Sequence, residues 1–105
     1  MDVERIAIAE KQADIFQIFS NARRILIMWT LENQEMSVGD IAAIIGATLP
    51  STSQHLRLMK DKGVLASRKE GQTIYYSIRA DKFGKNCQKM LSRDLPSKDI
   101  ESNNL

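Results

Sequence analysis

Residues 37–78 read SVGDIAAIIGATLPSTSQHLRLMKDKGVLASRKEGQTIYYSI, which predicts a helix, a tight turn, a second helix and a two-stranded hairpin. The first helix begins after Ser37, a favourable N-cap residue. It ends at Gly46, because glycine readily adopts the left-handed conformation that a C′ position often requires. Residues 68–78 place two cations before a compact turn and β-branched and aromatic residues after it, a pattern typical of a β-hairpin.

The second helix of this stretch has an apolar and a polar side. It starts at Thr48 or Leu49, because Pro50 is tolerated only in a first helical turn. Spacings of four and three residues direct three side chains toward the core, namely Thr52, Leu56 and Met59. The outer positions then hold Ser53, Gln54, Arg57 and Lys60. A polar second helix after a tight turn is typical of a helix that enters the major groove of DNA.

Two further helices are predicted before this stretch and one after it. Residues 3–19 show apolar side chains at helical spacing, and residues 23–31 are apolar on nearly every side, which indicates a buried central helix. Residues 80–95 return to helical spacing. The predicted fold is mainly α with a small β-hairpin (α+β), a winged helix-turn-helix. Residues 1–96 form one domain, and residues 97–105 form a polar tail that we expect to be disordered.

Composition restricts the class of protein. A chain of 105 residues with 43% hydrophobic residues suits one folded domain. No apolar run is long enough to cross a bilayer, and residues 1–5 do not resemble the start of a signal peptide, so no membrane partner is expected. Cys87 is the only cysteine and cannot form a disulfide within the chain, which favours the cytoplasm. The sequence offers no glycine-rich phosphate loop and no clustered pair of acids, so we expect no enzyme activity.

Positive charge is concentrated in one part of the chain, although the net charge is only +2. Residues 1–50 carry four cations and seven acids, whereas residues 51–79 carry six cations and two acids. Residues 80–105 carry five cations and four acids. The excess falls on the second helix and the hairpin, where phosphate binding would need it. The alternative is that these are ordinary solvated charges.

The polar side of the second helix and the hairpin supply the candidate DNA-binding residues. Glutamine pairs bidentately with adenine, serine bonds to any base edge, and arginine binds guanine or phosphate. The hairpin is expected to contact phosphates or the minor groove, which positions a protein without reading sequence. His55 has three interpretations, a base contact, a phosphate donor or a packing residue, and packing or phosphate contact ranks ahead of pH sensing. The candidates are Ser51, Thr52, Ser53, Gln54, His55, Arg57, Lys60, Arg68, Lys69, Gln72, Thr73 and Tyr75.

Three segments, in this order, resemble the ArsR/SmtB-type winged helix-turn-helix transcriptional regulators. They are FSNARRILI at 19–27, SQHLRLMKDKGVL at 53–65 and RKEGQTIYYSI at 68–78. The resemblance implies a homodimer, joined by helices 1 and 5, that represses transcription at a two-fold symmetric operator in double-stranded DNA. The residues expected in that interface are Ile6, Phe16, Phe83, Cys87, Met90 and Leu91. The alternative is that these side chains pack on the central helix of their own chain.

The chain departs from the metal-sensing members of this family. Where many members have two cysteines and an aspartate at the start of the third helix, this chain has Ser37, Gly39 and Asp40. Where others open the last helix with an Asp-x-His pair, Asp81 is kept but Phe83 replaces the histidine. Serine, glycine and phenylalanine cannot replace thiolate or imidazole ligands of zinc, so we predict neither a metal site nor a cofactor.

Cys87 is the one candidate for redox chemistry. It could pair with its counterpart across a dimer or be modified singly. Its apolar neighbours favour an inert packing thiol instead.

The sequence thus predicts a sequence-specific DNA-binding transcriptional regulator, a dimeric repressor that responds to a signal other than a metal. The alternative hypothesis is a winged-helix module for protein association without a specific DNA target, because a fold alone does not determine function. An apolar or acidic outer side on the second helix would favour that alternative. The serine, glutamine, arginine and lysine residues found there favour DNA.

Overall fold

The computed structural model describes residues 2–79. The elements follow the order α1 (Val3–Ile18), α2 (Ala22–Thr30), β1 (Met36–Ser37), α3 (Val38–Ile45), α4 (Leu49–Asp61), β2 (Leu65–Glu70) and β3 (Thr73–Ile78). The prediction of a mainly α fold with a small hairpin, the winged helix-turn-helix arrangement, is confirmed. The predicted last helix over 80–95, the tail 97–105 and the domain end at 96 lie outside the described residues. No helix within residues 2–79 is long and apolar enough to cross a membrane.

The sheet is antiparallel with the strand order β1–β3–β2. The hairpin pairs Leu65 with Ile78 at its base and Glu70 with Thr73 at its tip. The sequence predicts only this hairpin, whereas the structure adds β1, whose Ser37 lies opposite Tyr75. A strand of two residues is too short to leave an alternating pattern, so only its pairing with a distant strand reveals it.

Local signals fix both ends of α3 and the start of α4 as predicted. The Ser37 hydroxyl accepts a hydrogen bond from the Asp40 amide at 3.2 Å and caps α3. Gly46 ends α3 in the left-handed region, with φ of 68°. The Thr48 hydroxyl accepts from the Ser51 amide at 3.2 Å, which caps α4. These caps satisfy amide groups that the first helical turn leaves without backbone partners.

The core lies between α2, α3, α4 and the sheet. From α4 it receives the predicted set Thr52, Leu56 and Met59, each 0% exposed. The other members of the buried apolar cluster are Ile18, Ile27, Met28, Leu31, Ile41, Val64, Leu65 and Tyr76. Because α4 contributes one complete side to this cluster, its rotation about its own axis is fixed.

Residues 23–31, predicted to form a buried central helix, supply Ile27, Met28 and Leu31 to the core. Within α2 only Ile27 and Met28 are buried, and Leu26 is 37% exposed. The helix packs against α3. The apolar sequence therefore identified a core helix but overestimated how much of it residues 2–79 cover.

Helix α1 leaves most of its apolar side chains exposed. Only Ile18, in its last turn, is buried, and Ile15 is partly buried against the core. Phe16 is 46% exposed and Ile6 is 43% exposed. The interpretation that these two side chains pack on the central helix of their own chain is therefore wrong for the described residues.

Two isoleucines on α3 test the position of the core. Ile41 is 0% exposed and Ile44 is 60% exposed. We expect Ile41→Ala to lower the free energy of unfolding by about 2–5 kcal/mol, because it removes buried methyl groups and leaves a cavity. Ile44→Ala should change it by less than about 0.5 kcal/mol. Urea unfolding at one fixed protein concentration measures both, and equal effects of the two substitutions would contradict the fold.

Candidate nucleic-acid interface

The outer side of α4 carries a stripe of exposed polar side chains. Pro50, Gln54 and Arg57 follow one another at spacings of four and three residues and are all exposed. Lys60, three residues further, is also exposed. Within residues 2–79, Gln54 and Arg57 form no side-chain hydrogen bond or ion pair, so their hydrogen-bonding groups are available to a ligand.

A shallow hollow lies at the N-terminal half of this outer side. Its lining consists of Leu49, Pro50, Ser51, Ser53, Gln54 and Arg57. Of these residues, Ser51 and Ser53 are half-buried. The hollow therefore combines hydroxyl, amide and guanidinium groups on one helix, and four of the predicted DNA-binding residues meet there.

Thr52 corrects one member of the predicted DNA-binding set. Its side chain is 0% exposed. Its hydroxyl donates a hydrogen bond to the Thr48 carbonyl oxygen at 2.8 Å, one helical turn earlier. A buried and satisfied hydroxyl cannot reach a duplex, so the assignment of Thr52 to DNA contact is wrong and its place in the core is confirmed.

His55 is half-buried and is held by an arginine from α2. The Arg24 Nε group donates a hydrogen bond to His55 Nδ1 at 3.2 Å, and Arg24 Nη1 donates to the Ile18 carbonyl at 3.4 Å. Burial lowers the pKa of His55, and the positive charges of Arg24 and Arg23 lower it further. A guanidinium can only donate, so Nδ1 accepts and the neutral ring carries its proton on Nε2. The ring packs as predicted and still has one donor to offer.

Arg68 is bound within the chain instead of projecting as an unpaired charge. Its Nε donates to Glu35 at 2.9 and 3.0 Å, and its Nη1 donates to Glu70 at 2.7 Å. Its guanidinium carbon also lies 4.5 Å from the centroid of the Tyr75 ring. These hydrogen bonds raise the pKa of Arg68, and the bond from Arg68 lowers the pKa of Glu35. With two carboxylates on its guanidinium, Arg68 connects the hairpin to the segment before β1.

The remaining hairpin candidates lie near its tip. Lys69, Gln72 and Thr73 are exposed, whereas Tyr75 is half-buried under Arg68. Lys69 forms no ion pair with any of residues 2–79. The hairpin therefore offers Lys69, not Arg68, as an uncommitted cation. Sequence reasoning missed the role of Glu35, because Arg68 lies 33 residues away and nothing in the local sequence indicates the contact.

The other predicted site residues divide into two groups. Ile6 and Phe16 lie on α1 with exposed side chains. Phe83, Cys87, Met90 and Leu91, and with them the redox interpretation of Cys87, lie outside the described residues. Among residues 2–79, no three His, Cys, Asp or Glu side chains form a group that could hold a metal ion.

Known proteins with this sequence pattern are bacterial regulators. The sequence model described as "Bacterial regulatory protein, arsR family" matches residues 21–67. The transcriptional regulator YgaV of Escherichia coli is 36% identical over 74 residues, which cover 70% of this chain and 75% of YgaV. The transcriptional regulator KmtR of Mycobacterium tuberculosis is 34% identical over 65 residues, which cover 62% of this chain but only 50% of KmtR.

A solved structure has a similar fold. It is the homodimeric winged helix-turn-helix DNA-binding domain of Mb0332 from Mycobacterium bovis, with a TM-score of 0.76. The two sequences are 24% identical, and the alignment covers 100% of this chain and 94% of the other. The likeness supports the arrangement of helices and hairpin described above.

The only histidine provides a direct test of the contact between α2 and α4. We expect the pKa of His55 to lie below 6.5, and Arg24→Gln to raise it, because a nearby positive charge is removed. Arg23→Gln is the matched control and should raise it less. The native state prefers the neutral ring, so His55 contributes stability above pH 6.5 that is lost as the pH falls through the folded-state pKa. An NMR titration of the ring measures each value, and an unchanged pKa in Arg24→Gln would refute the contact.

Proposed function

Because the chain belongs to the arsR family of bacterial regulatory proteins, we propose that it binds duplex DNA sequence-specifically and regulates transcription. The observation that carries this proposal is the division of α4 into two sides. One side is fully buried at Thr52, Leu56 and Met59, and the opposite side presents uncommitted hydrogen-bonding groups. A helix anchored in this way can enter a major groove without disturbing the core.

In this proposal the N-terminal half of α4 reads bases. Gln54 would bond the N6 and N7 groups of an adenine, and Ser51 and Ser53 would donate to or accept from neighbouring base edges. Arg57, one turn later, would bind guanine or a phosphate at the edge of the groove. The exposure of Gln54 and Arg57 and the hollow that they share support these roles.

Phosphate contacts would come from groups on either side of that reading surface. Lys60 and Lys69 are exposed cations, and His55 offers its Nε2 proton. Gln72 and Thr73 at the hairpin tip would bond the backbone or the minor groove. Arg68, with Tyr75 beneath it, would act by holding the hairpin in place. These contacts set register and affinity, while base contacts set sequence preference.

We further propose that the chain acts as a homodimer on a two-fold symmetric operator, as a repressor. The exposed apolar side chains of α1 support a dimer interface on this helix. Residues 2–79 leave these side chains in contact with water, and a second copy of the chain would cover them. The homodimeric state of the Mb0332 domain adds support. The interface would include Ile6 and Phe16, together with Phe83, Cys87, Met90 and Leu91.

The signal that releases DNA would not be a metal, since Ser37 caps α3 where metal-sensing members have a cysteine. We propose a cytoplasmic regulator without a cofactor or enzyme activity. The family and the relatives found are described as regulators of transcription. A protein-association module is the alternative, and the polar outer side of α4 argues against it.

Selection from random duplex DNA, followed by two substitutions, tests the proposed function. Gln54→Ala should weaken binding to the selected duplex by about 1–3 kcal/mol and relax preference at one position. Lys60→Ala should weaken binding to all duplexes alike and lower the salt slope by about 1, because one fewer counterion is released. Fluorescence anisotropy at several salt concentrations measures both effects.

The same selection discriminates between the hypotheses. An enriched, two-fold symmetric motif is the result expected for the proposed regulator. Failure to enrich any motif, together with binding that does not respond to salt, would exclude specific DNA binding and favour the protein-association module.

The dimer is tested by placing a charge on α1. Phe16→Glu should convert a dimer into a monomer, because a buried unpaired carboxylate opposes association. Ile44→Glu is the matched control, since Ile44 is a comparably exposed apolar residue on α3 that the proposed interface does not use. Light scattering should give twice 11.9 kDa for the unmodified chain and the control, and 11.9 kDa for Phe16→Glu. A dimer that survives Phe16→Glu would contradict the α1 interface.

A further inference from the structure

The hollow on α4 contains two residues that cannot form side-chain hydrogen bonds. Leu49 and Pro50 are the first two residues of the helix, and Leu49 is 54% exposed. The other lining side chains, of Ser51, Ser53, Gln54 and Arg57, all carry donors or acceptors. Leu49 and Pro50 lie at the end of the helix that would enter DNA first. Their exposed apolar surface would be buried favourably against an apolar group of the DNA.

The major groove presents one apolar group, the 5-methyl of thymine. We propose that Leu49 and Pro50 contact the 5-methyl group of a thymine in each half-site and so select thymine at that position. This inference rests on the proposed function, since it assigns a specificity to the same surface. The proposed contact makes Leu49 a specificity-determining residue, although its side chain forms no hydrogen bond to a base.

The helix geometry places this thymine relative to the base that Gln54 would read. Pro50 and Gln54 are four residues apart and lie on one side of α4, about 6 Å from each other along the axis. Successive base pairs are about 3.4 Å apart. The methyl group therefore lies within about two base pairs of the adenine bound by Gln54.

Leu49 has no competing role among residues 2–79. It is absent from the buried cluster and from the partly buried residues packed against that cluster. Two exposed isoleucines elsewhere, Ile44 on α3 and Ile74 on the hairpin, lie outside the hollow lining. Leu49 and its neighbour Pro50 combine exposure with a position among the polar groups of the hollow, which distinguishes them from scattered surface apolar residues.

Replacement of thymine by deoxyuridine tests the proposal, because it removes only the methyl group. In the selected duplex, each thymine is replaced in turn and binding is measured at one salt concentration. One position per half-site should lose about three- to fivefold in affinity, the expected effect of one methyl group leaving an apolar contact. Leu49→Ala should bind the thymine and deoxyuridine duplexes with a clearly smaller difference than the unmodified chain, because only Pro50 of the proposed pair remains.

Two control variants make the result specific. Leu49→Met keeps an apolar side chain of similar size, so it should still bind the thymine duplex more tightly than the deoxyuridine duplex. Ile44→Ala removes an exposed apolar side chain elsewhere and should behave like the unmodified chain. Leu49→Ala should also keep the unmodified salt slope, because no phosphate contact is lost.

The outcomes separate this inference from the function on which it rests. Specific, salt-dependent binding without any position sensitive to the methyl group would overturn the role of Leu49 and leave the regulator intact. An undiminished preference of Leu49→Ala for the thymine duplex over the deoxyuridine duplex would do the same. Absence of specific binding to any duplex would overturn both.

Discussion

The complete burial of one side of α4 is the constraint on which the rest of the structure depends. Thr52, Leu56 and Met59 are fully buried against residues from the other helices and the sheet. Any rotation of α4 that brought Gln54 or Arg57 inward would expose this apolar surface and bury groups without hydrogen-bond partners. The buried side therefore determines the reading side, and the hollow lined by polar groups is a consequence of core packing.

Two contacts between distant segments complete the surface around α4. Arg24 of α2 holds the His55 ring, and Glu35 before β1 holds Arg68 of the hairpin. Burial lowers the pKa of His55 and the charge of Arg24 lowers it further, while Arg68 pairs with the Glu35 carboxylate and stacks on Tyr75. Both arginines thus act as positioning residues, whereas Arg57, Lys60 and Lys69 are exposed cations without an ion pair among residues 2–79.

Local chemistry was sufficient to predict the helix-turn-helix from the sequence. Pro50 and Gly46 fixed the ends of two helices, and three- and four-residue spacing identified the buried side of α4. The contacts of Arg68 and His55 were not predictable, because their partners lie 33 and 31 residues away in the chain. The cover of α1 was left between two alternatives for a related reason, since apolar spacing predicts that a side chain is buried but not whether its own chain or a partner buries it.

The central claim is that the outer side of α4 contacts bases in the major groove. NMR titration of the labelled protein with its selected duplex tests this most directly, through the Gln54 side-chain amide and the Arg57 Nε–H signals. The account predicts large shifts of both signals at saturation, with smaller changes for the side chains of α1. Unchanged Gln54 and Arg57 signals, with shifts confined to α1 or absent, would contradict it.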